Sequence, residues 1–252
     1  MPFFLKHIKF FIDFLVTFIV WTYFILGYVV FFSPVYLSAF VFSKNREESF
    51  QRLNHIFYRI FFSLVRLITP GLKIRIQDDV YGIRSSVIVC NHISYLDPIL
   101  LISLFQKQKT IVKAVFFKLP IFGWVLKTAG YIPSTADQEF ASLVIERLET
   151  IGGFLLSGGN FFVFPEGTRS RDSRIGTLNE GAFKIARQCN APIKVLLIRN
   201  TNVLFKPGRF LFNTCVRNSI EIKLIGSLTP DYKSDSFSIS GLTGEVRSLL
   251  ES

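Results

Sequence analysis

An uncharged apolar segment near the N-terminus constrains the fold of this chain more than any other feature. No residue from Phe14 to Ser43 carries a charge. A helix of that length would extend about 45 Å, more than the roughly 30 Å hydrocarbon core of a bilayer. Because 50% of all residues are also hydrophobic, we expect part of the chain to lie in lipid.

Two arrangements of this segment agree with its sequence. In the first, a spanning helix covers residues 11–32, Pro34 breaks it, and residues 35–42 lie at the membrane interface. In the second, a re-entrant hairpin bends near Gly27 or Pro34 and leaves both ends in the cytoplasm. Both arrangements make residues 1–43 a membrane-embedded segment.

Positive charge is distributed unevenly around the apolar segment. Two lysines precede it and a denser basic group follows it, namely Lys6 and Lys9 before and Lys44, Arg46, Arg52, Arg59 and Arg66 after. Cytoplasmic flanks carry the excess of Lys and Arg in membrane proteins. The charges therefore predict an inner, or cytoplasmic, membrane location with the folded domain facing the cytoplasm.

The segment that follows has the pattern of a basic amphipathic helix. Within residues 44–71, Arg52, Arg59 and Arg66 recur every seven residues and would share one helix face, with apolar residues filling much of the rest. This pattern predicts an interfacial helix that lies on anionic lipid. The alternative is a surface helix that packs on the domain and exposes its arginines to water.

The formal net charge of +11 restricts the class of partner. Such a charge favours nucleic acid, an anionic membrane surface or anionic substrates. We expect no nucleic-acid partner, because the chain is apolar and lacks zinc-finger, basic-zipper and RNA-binding signatures. The three cysteines and three histidines lack metal-ligand spacing, so we expect neither a metal site nor a disulfide framework.

Short β-rich runs alternate with helical patterns after residue 71. The β-rich runs are residues 85–90, 110–115, 160–164, 193–199 and 219–225, and the helical patterns fall near 98–105, 119–129, 138–157, 178–190 and 240–252. This alternation predicts an α/β fold with a mostly parallel central sheet flanked by helices. We assign residues 72–252 to this domain.

The first candidate site is a histidine that follows a buried-looking strand. Asp97 comes five residues after His92, so on a continuous helix the two side chains would point roughly 140° apart. They can meet only if the chain turns, and Asp97-Pro98 has the sequence of a helix N-cap and first helical residue. His92 would then act as a general base whose imidazole Asp97 orients and stabilises. Alternatively, Asp97 only caps a helix and His92 is structural.

The second candidate site follows another apolar strand-like run and comprises Glu166, Gly167, Thr168 and Arg169. Ligands bind beyond the carboxyl ends of strands in open α/β sheets, so one cleft could hold both His92 and Arg169. Arg169 can grip a phosphate or carboxylate with two hydrogen bonds, Gly167 lets the backbone approach closely, and Thr168 adds a hydroxyl. Glu166 would accept from a substrate hydroxyl or orient Arg169. The alternative is a surface turn with a Glu–Arg pair.

The motifs that are missing narrow the reaction class. The chain contains no G-x-S-x-G elbow, no P-loop and no G-x-G-x-x-G fingerprint. Cys90 is close to His92 in sequence, but it lies in the strand-like run, so we interpret it as a core residue. A histidine base without a serine or cysteine nucleophile indicates direct attack by an acceptor.

Together these segments resemble the glycerolipid acyltransferases of the 1-acyl-sn-glycerol-3-phosphate O-acyltransferase type. Residues 91–97 (Asn-His-Ile-Ser-Tyr-Leu-Asp) resemble the first motif of that family, the His-x4-Asp box, and residues 164–170 (Phe-Pro-Glu-Gly-Thr-Arg-Ser) resemble the third. Residues 113–132 are similar to the second motif and residues 191–193 to the fourth. The resemblance covers residues 72–228.

The resemblance implies an activity and a mechanism. His92 would deprotonate the acceptor hydroxyl with support from Asp97, and the hydroxyl would attack acyl-CoA or acyl-carrier protein directly, with no bound cofactor. Residues 166–169 would bind the glycerol phosphate of a lysolipid, most simply 1-acylglycerol-3-phosphate, to give phosphatidic acid in phospholipid biosynthesis. The bilayer, the lysolipid and the acyl donor are therefore the expected partners.

Three departures from the family pattern concern the acceptor pocket. Ser134, Thr135 and Ala136 stand where the second motif usually ends with an arginine. Residues 179–181 replace a usual lysine pair, and Val195 replaces a second proline. The departures motivate the hypothesis of a different acceptor, either another lysophospholipid or an amino-acid lipid. A non-catalytic lipid-binding protein of this fold and a lipid hydrolase are the further alternatives.

Overall fold

The computed structural model of the protein describes residues 3–134, 138–170 and 174–252. Its α-helices are α1 Phe3–Thr22, α2 Ser33–Phe42, α3 Arg46–Ile68, α4 Asp78–Tyr81, α5 Leu96–Ile102, α6 Ala114–Phe117, α7 Phe122–Thr128, α8 Ala141–Leu156, α9 Gly181–Gln188, α10 Thr201–Leu204 and α11 Ile239–Glu251. A π-helical segment, Tyr23–Phe32, joins α1 to α2, and a 3-10 turn, Gln138–Phe140, precedes α8.

A seven-stranded sheet forms the centre of the domain. Its strands are β1 Leu72–Ile76, β2 Val87–Cys90, β3 Gln108–Val112, β4 Ile132–Pro133, β5 Asn160–Val163, β6 Ile193–Arg199 and β7 Asn218–Leu228. They are arranged in the order β1-β7-β6-β2-β5-β3-β4. The β6–β7 pair is antiparallel and the other pairs are parallel, so the predicted α/β class is confirmed.

The sequence patterns found the five inner strands and missed the two at the sheet edges. β1 is five residues long and lies at one edge, whereas β4 has two residues and lies at the other. β1 buries few of its side chains, so its sequence carries little of the apolar signal that marks β2 and β5, which are buried throughout. β4 is buried, but its two residues are too few to form a pattern.

Helices cover both faces of the sheet. Alternate residues of β2 point to opposite faces: Ile88 packs in the core beneath α3 and α5, whereas Val87 and Val89 pack in the core beneath α8, α9 and α11. Because both faces of β2 are covered, its four residues are all apolar and fully buried. The sheet therefore holds β2 rigidly, and with it the segment that follows Cys90.

The N-terminal segment is one long helix, so the expected break at Pro34 and the hairpin bend at Gly27 or Pro34 are both wrong. Helical hydrogen bonding continues through α1, the π-helical segment and α2, and the Ser33 N–H bonds to the Tyr28 carbonyl oxygen. The π-helical pattern shifts the bonding by one residue just before Pro34, which then lies in the first turn of α2 where a missing N–H is tolerated. Among the described residues, the helix from Phe3 to Phe42 is long and apolar enough to cross a membrane.

The chain reverses direction at residues 43–45, and α3 runs back along this helix. The Tyr36 hydroxyl donates to Asn54 Oδ1 at 2.5 Å, and the Tyr23 hydroxyl donates to the Phe57 carbonyl at 2.9 Å. The Asn45 side chain accepts the Glu48 N–H at 3.1 Å and caps α3. The turn that the sequence suggested within the apolar segment therefore lies after it.

One face of α3 packs on the domain and the other is exposed. Aromatic residues such as Phe57 and Phe61 are buried, whereas Arg52, Arg59 and Arg66 are all exposed. Several aliphatic residues lie exposed beside the arginines, namely Ile56, Ile60 and Leu67. The helix therefore packs on the domain, as one alternative held, and its outer face is both basic and apolar, as a lipid-facing helix requires.

The N-terminal helix also contacts the loop between α10 and β7. The Asp13 carboxylate accepts from the Thr214 N–H at 2.8 Å and from the Thr214 hydroxyl at 2.7 Å, and it pairs with Lys9. Residues of this helix and of α3 belong to the same apolar core as β2. The division of the chain at residues 43 and 71 stays a prediction.

Candidate active site

The candidate site is built on the carboxyl ends of two neighbouring strands. β2 pairs with β5 in parallel, with Val87 opposite Phe161 and Val89 opposite Val163. The segments that follow the two strands therefore leave the sheet at the same edge. The Ser170 N–H donates to the His92 carbonyl oxygen at 2.8 Å, which ties the two segments together.

His92 and Asp97 are in contact. The Nδ1 atom of His92 lies 2.9 Å from Oδ2 of Asp97. The same Oδ2 accepts the backbone N–H groups of Ile93 and Ser94, each at 2.7 Å, and so closes the turn between the two residues. The bend that the spacing of five requires is therefore formed by the aspartate itself.

The expectation that Asp97 is a helix N-cap is wrong in detail. α5 begins at Leu96, with Tyr95 in the capping position, and Asp97 lies inside its first turn. The Asp97 carboxylate reaches back to N–H groups that precede the helix, which an N-cap side chain does not do. Asp97 is fully buried, so these bonds replace the water that a carboxylate needs.

The partners of Asp97 fix the tautomer of His92. An ionised carboxylate can only accept hydrogen bonds, so Nδ1 of His92 carries the proton and Nε2 is left with its lone pair. Nε2 makes no hydrogen bond to any residue that the structure describes. The imidazole stacks on Phe164 at a centroid distance of 4.4 Å, and its side chain is 15% exposed. An oriented imidazole with a free, accessible Nε2 can accept a proton from a hydroxyl.

The Glu166 carboxylate holds the backbone of the histidine segment. Its Oε1 accepts the His92 N–H at 2.9 Å, and its Oε2 accepts the Gly176 N–H at 3.0 Å. The motif predicts that Glu166 accepts from a substrate hydroxyl or orients Arg169, and it does not predict these two backbone bonds. Substrate binding by Glu166 stays a prediction, whereas its contact with the His92 backbone is a feature of the fold.

The Arg169 guanidinium lies flat on an aromatic ring. Its Cζ atom is 3.3 Å from the ring centroid of Tyr95, which belongs to the histidine segment. Stacking holds the guanidinium plane, and its N–H groups bond to no side chain or carbonyl in the described part of the chain, so they are available to a phosphate or carboxylate. Gly167 turns the chain with a φ of +66°, and the neighbouring Thr168 is exposed. The structure thus places Arg169 beside the segment that carries His92, as the strand ends predicted.

Two further residues contribute to the site and were missed in the sequence. The Thr201 hydroxyl donates to Asp97 Oδ1 at 2.5 Å. The Asn91 side chain donates to the Ile198 carbonyl at 2.9 Å and accepts the Ile198 N–H at 2.7 Å, which extends the β2–β6 pairing beyond β2. Thr201 lies just after β6, so its place at a strand end was the available signal.

Cys90 is unsuited to act as a nucleophile. It is fully buried in β2, and burial raises the pKa of its thiol well above the ordinary value. The interpretation of Cys90 as a core residue agrees with this environment.

A sequence model of the Acyltransferase family matches residues 71–198, just over half of the chain. The chain belongs to the Acyltransferase family. The match includes both the His92 and the Arg169 segments. The family resemblance inferred from the motifs is thereby confirmed.

Curated relatives of the chain share its central region. A chloroplastic 1-acyl-sn-glycerol-3-phosphate acyltransferase of Brassica napus is 34% identical over 48% of this chain and 35% of its own length. A chloroplastic protein of the same name from Arabidopsis thaliana is 30% identical over 63% of this chain and 44% of its own length. The matches thus span less than half of these plant relatives. A probable 1-acyl-sn-glycerol-3-phosphate acyltransferase of Mycoplasma genitalium is 25% identical over 92% of this chain and 87% of its own length.

A solved structure shares the fold of this member of the family. The 1-acyl-sn-glycerophosphate acyltransferase PlsC from Thermotoga maritima superposes with a TM-score of 0.70 at 20% identity, covering 95% of this chain and 94% of that chain. The superposition includes nearly the whole chain, so the arrangement of N-terminal helix, α3 and sheet is common to both folds.

The segment similar to the second family motif folds as α6, α7 and β4. A Cβ atom on Gly123 would lie 2.2 Å from the Phe117 carbonyl oxygen, so only glycine fits there, and Gly130 adopts a φ of +76°. The tight turn is therefore a steric requirement of this segment.

The departures from the family pattern lie at different places around the site. Ser134 follows β4, whereas Thr135 and Ala136 lie outside the described residues. Glu180 precedes α9, and its carboxylate lies 3.1 Å from the Lys184 ammonium. The segment that replaces the usual lysine pair therefore supplies an anion that is paired with Lys184. Val195 is fully buried in β6, where it packs in the sheet away from solvent.

Proposed function

We propose that the protein is a membrane-bound acyltransferase that moves a fatty acyl group from acyl-CoA or acyl-carrier protein to the hydroxyl of a lysolipid. The proposed acceptor is 1-acylglycerol-3-phosphate, which becomes phosphatidic acid in phospholipid biosynthesis. The observation that carries this proposal is the His92–Asp97 pair, whose free Nε2 lies at the strand edge that also holds Arg169. The names of the relatives from Brassica napus and Arabidopsis thaliana support the choice of acceptor.

The proposed reaction is a single acyl transfer. His92 Nε2 takes the proton of the acceptor hydroxyl while the oxygen attacks the thioester carbonyl carbon. Asp97 stabilises the imidazolium that forms, because its carboxylate is held by Ile93, Ser94 and Thr201. The tetrahedral intermediate then collapses, the C–S bond breaks, and the thiolate takes the proton from His92. The products are the acylated lipid and a free thiol, and no metal or cofactor takes part in these steps.

The binding roles follow from charge and position. Arg169 grips the acceptor's phosphate through the guanidinium edge that Tyr95 leaves open, with the Thr168 hydroxyl and the Gly167 backbone beside it. The apolar helix Phe3–Phe42 and the exposed arginines of α3 hold the enzyme on an anionic bilayer, where acceptor and product reside. The catalytic domain faces the cytoplasm, where the acyl thioester is available.

The test is an acyl-transfer assay on the purified full chain in detergent. Labelled acyl-CoA and acyl-carrier protein are each offered with lysophosphatidic acid, other lysophospholipids and an amino-acid lipid, and the products are separated by thin-layer chromatography. We expect labelled phosphatidic acid. Transfer to another acceptor alone would support the acyltransferase activity and refute 1-acylglycerol-3-phosphate as the acceptor. Free fatty acid without acylated lipid would indicate a hydrolase, and no turnover with any pair would favour a binding protein.

A further inference from the structure

A cavity of about 620 Å³ lies between the N-terminal helix and the loop that follows α10. Lys9 contributes from the helix, and Lys206, Arg209 and Phe210 contribute from the loop. Ser170 and Asn202 form the wall toward the candidate site, as part of the same lining. Its size falls within the range of cavities that bind small organic ligands.

The cavity is electropositive. Among the residues that the structure describes, the charged ones in the lining are Lys9, Lys206, Arg209 and Asp13, which give three positive charges against one negative. The Asp13 carboxylate is already bonded to Lys9 and Thr214. Lys206 and Arg209 are exposed, and their side chains form no ion pair within the part of the chain that the structure describes. Two cations on one rim therefore remain available to an anion.

The cavity adjoins the residues that orient His92. The Ser170 N–H donates to the His92 carbonyl, and Asn202 follows Thr201, whose hydroxyl donates to Asp97. A ligand in the cavity would thus contact the two segments that hold the histidine and its aspartate. Since Ser170 also follows Arg169 directly, the cavity continues the surface on which we place the acceptor.

Part of the cavity rim is apolar and lies next to Arg209 in the same loop. Phe210 is 69% exposed and stacks on Trp21 of α1 at a centroid distance of 6.1 Å. The outer face of α1 continues this surface with exposed aromatic and aliphatic residues. A ligand that fits this cavity has an anionic headgroup that contacts the cations and one apolar chain that contacts the apolar part of the rim. A lysophospholipid has both parts.

We propose that Lys206 and Arg209, assisted by Lys9, bind the phosphate monoester of the lysolipid acceptor. This inference rests on the proposed acyltransferase activity and adds a phosphate-binding rim to it. It also accounts for the missing arginine at residues 134–136, because the loop after α10 supplies the positive charge from another direction. A phosphate that bridges the rim and Arg169 would keep the glycerol hydroxyl near the histidine segment.

The test compares two double variants of equal charge change. Lys206→Ala/Arg209→Ala removes the rim cations. The control, Lys73→Ala/Arg75→Ala, removes an exposed lysine and arginine from the edge strand β1. There they alternate with residues that face α3. We expect the first variant to raise the acceptor KM about tenfold or more, as loss of a charge-assisted bond does. Its kcat and donor KM stay near wild-type values, and the control changes none of the three.

Soluble glycerol 3-phosphate distinguishes the acceptor site from the bilayer surface. We expect it to inhibit the wild-type protein competitively and to inhibit the rim variant about tenfold less well. An unchanged acceptor KM in an active variant would overturn the proposal while leaving the acyltransferase function intact. A defect confined to anionic vesicles, with normal KM in neutral detergent micelles, would overturn it too and assign the cations to bulk lipid. A wild-type protein that transfers no acyl group would instead refute the underlying function.

Discussion

Oδ2 of Asp97 accepts three hydrogen bonds at once, one from Nδ1 of His92 at 2.9 Å and two from the backbone of the turn between these residues. A single buried oxygen thus builds the turn and orients the imidazole. The shape of the turn and the orientation of the His92 imidazole therefore depend on the same side chain, because any shift of Asp97 moves His92.

Replacing His92 should remove the base without unfolding the protein. We expect His92→Ala to lower kcat on the order of 10²–10⁴-fold, the usual contribution of a general base. His7→Ala, which removes an exposed histidine from α1, is the matched control and should leave kcat unchanged. Initial rates with both substrates saturating measure the effect. A His92→Ala protein with near wild-type kcat would exclude the proposed mechanism.

Thr201 should act as a positioning residue. Thr201→Ala removes the hydroxyl that donates to the buried Asp97 Oδ1, a charged hydrogen bond that contributes roughly 1.5–3 kcal/mol. We expect kcat to fall about 10–100-fold with both KM values unchanged, because the imidazole is less firmly held. Thr201→Ser keeps the hydroxyl and should restore most of the rate. Equal losses in the alanine and serine variants would argue for a packing effect instead.

Arg169 should bind the acceptor through its planar fork. Arg169→Lys keeps the charge but loses the bidentate geometry and the flat stack on Tyr95. We expect an acceptor KM about tenfold higher with the donor KM unchanged. Tyr95→Phe preserves the ring and serves as the control, which should keep the wild-type acceptor KM. If Arg169→Lys leaves the acceptor KM unchanged, Arg169 does not bind the headgroup.

Cys90 should be dispensable for catalysis. Burial raises the pKa of its thiol, so the thiolate that a covalent mechanism needs does not form near neutral pH. We expect Cys90→Ala to keep kcat within about twofold and to lower the free energy of unfolding by about 1 kcal/mol through lost packing. Native-state alkylation followed by mass spectrometry should label the exposed Cys215 before Cys90. An acyl-enzyme trapped on Cys90 would contradict direct transfer.

An ion pair between a buried lysine and a half-buried glutamate should hold α3 against the sheet. Lys109 of β3 is 2% exposed, and its Nζ lies 2.8 Å from Glu47 Oε1. Burial lowers the pKa of Lys109, and Glu47 opposes that change. We expect Glu47→Gln to lower the free energy of unfolding by about 2–4 kcal/mol, because it leaves a buried ammonium without its carboxylate.

Urea unfolding in detergent measures this contribution. Glu149→Gln, which alters an exposed glutamate of α8, is the control and should have little effect. Adding Lys109→Met to Glu47→Gln should recover most of the loss, since the unpaired charge is then gone. Equal destabilisation by the single and the double variants would show that the pair itself matters little.

Much of the fold could be predicted because its signals are local. The apolar runs that became β2 and β5 are fully buried on both faces, and only apolar residues satisfy that environment. The edge strands β1 and β4 escaped prediction, because β1 exposes or half-exposes most of its side chains and β4 is only two residues long. The continuous helix through Pro34 also escaped, since a π-helical register depends on packing against α3 that no local pattern records.

The sequence by itself determined the class of fold, the family and the residues of both motifs. These follow from short-range patterns: strand and helix periods, and residue types at fixed spacing beside strand ends. Only the tertiary structure decided that Thr201 holds Asp97, that Glu166 bonds to the His92 backbone and that Lys206 and Arg209 share a cavity with Lys9. Those relationships join residues about 70 to 200 positions apart, brought together by sheet order and by the return of α3 along the N-terminal helix. Spacing in the sequence carries no information on such contacts, because the strand order that creates them is set by packing of the whole chain.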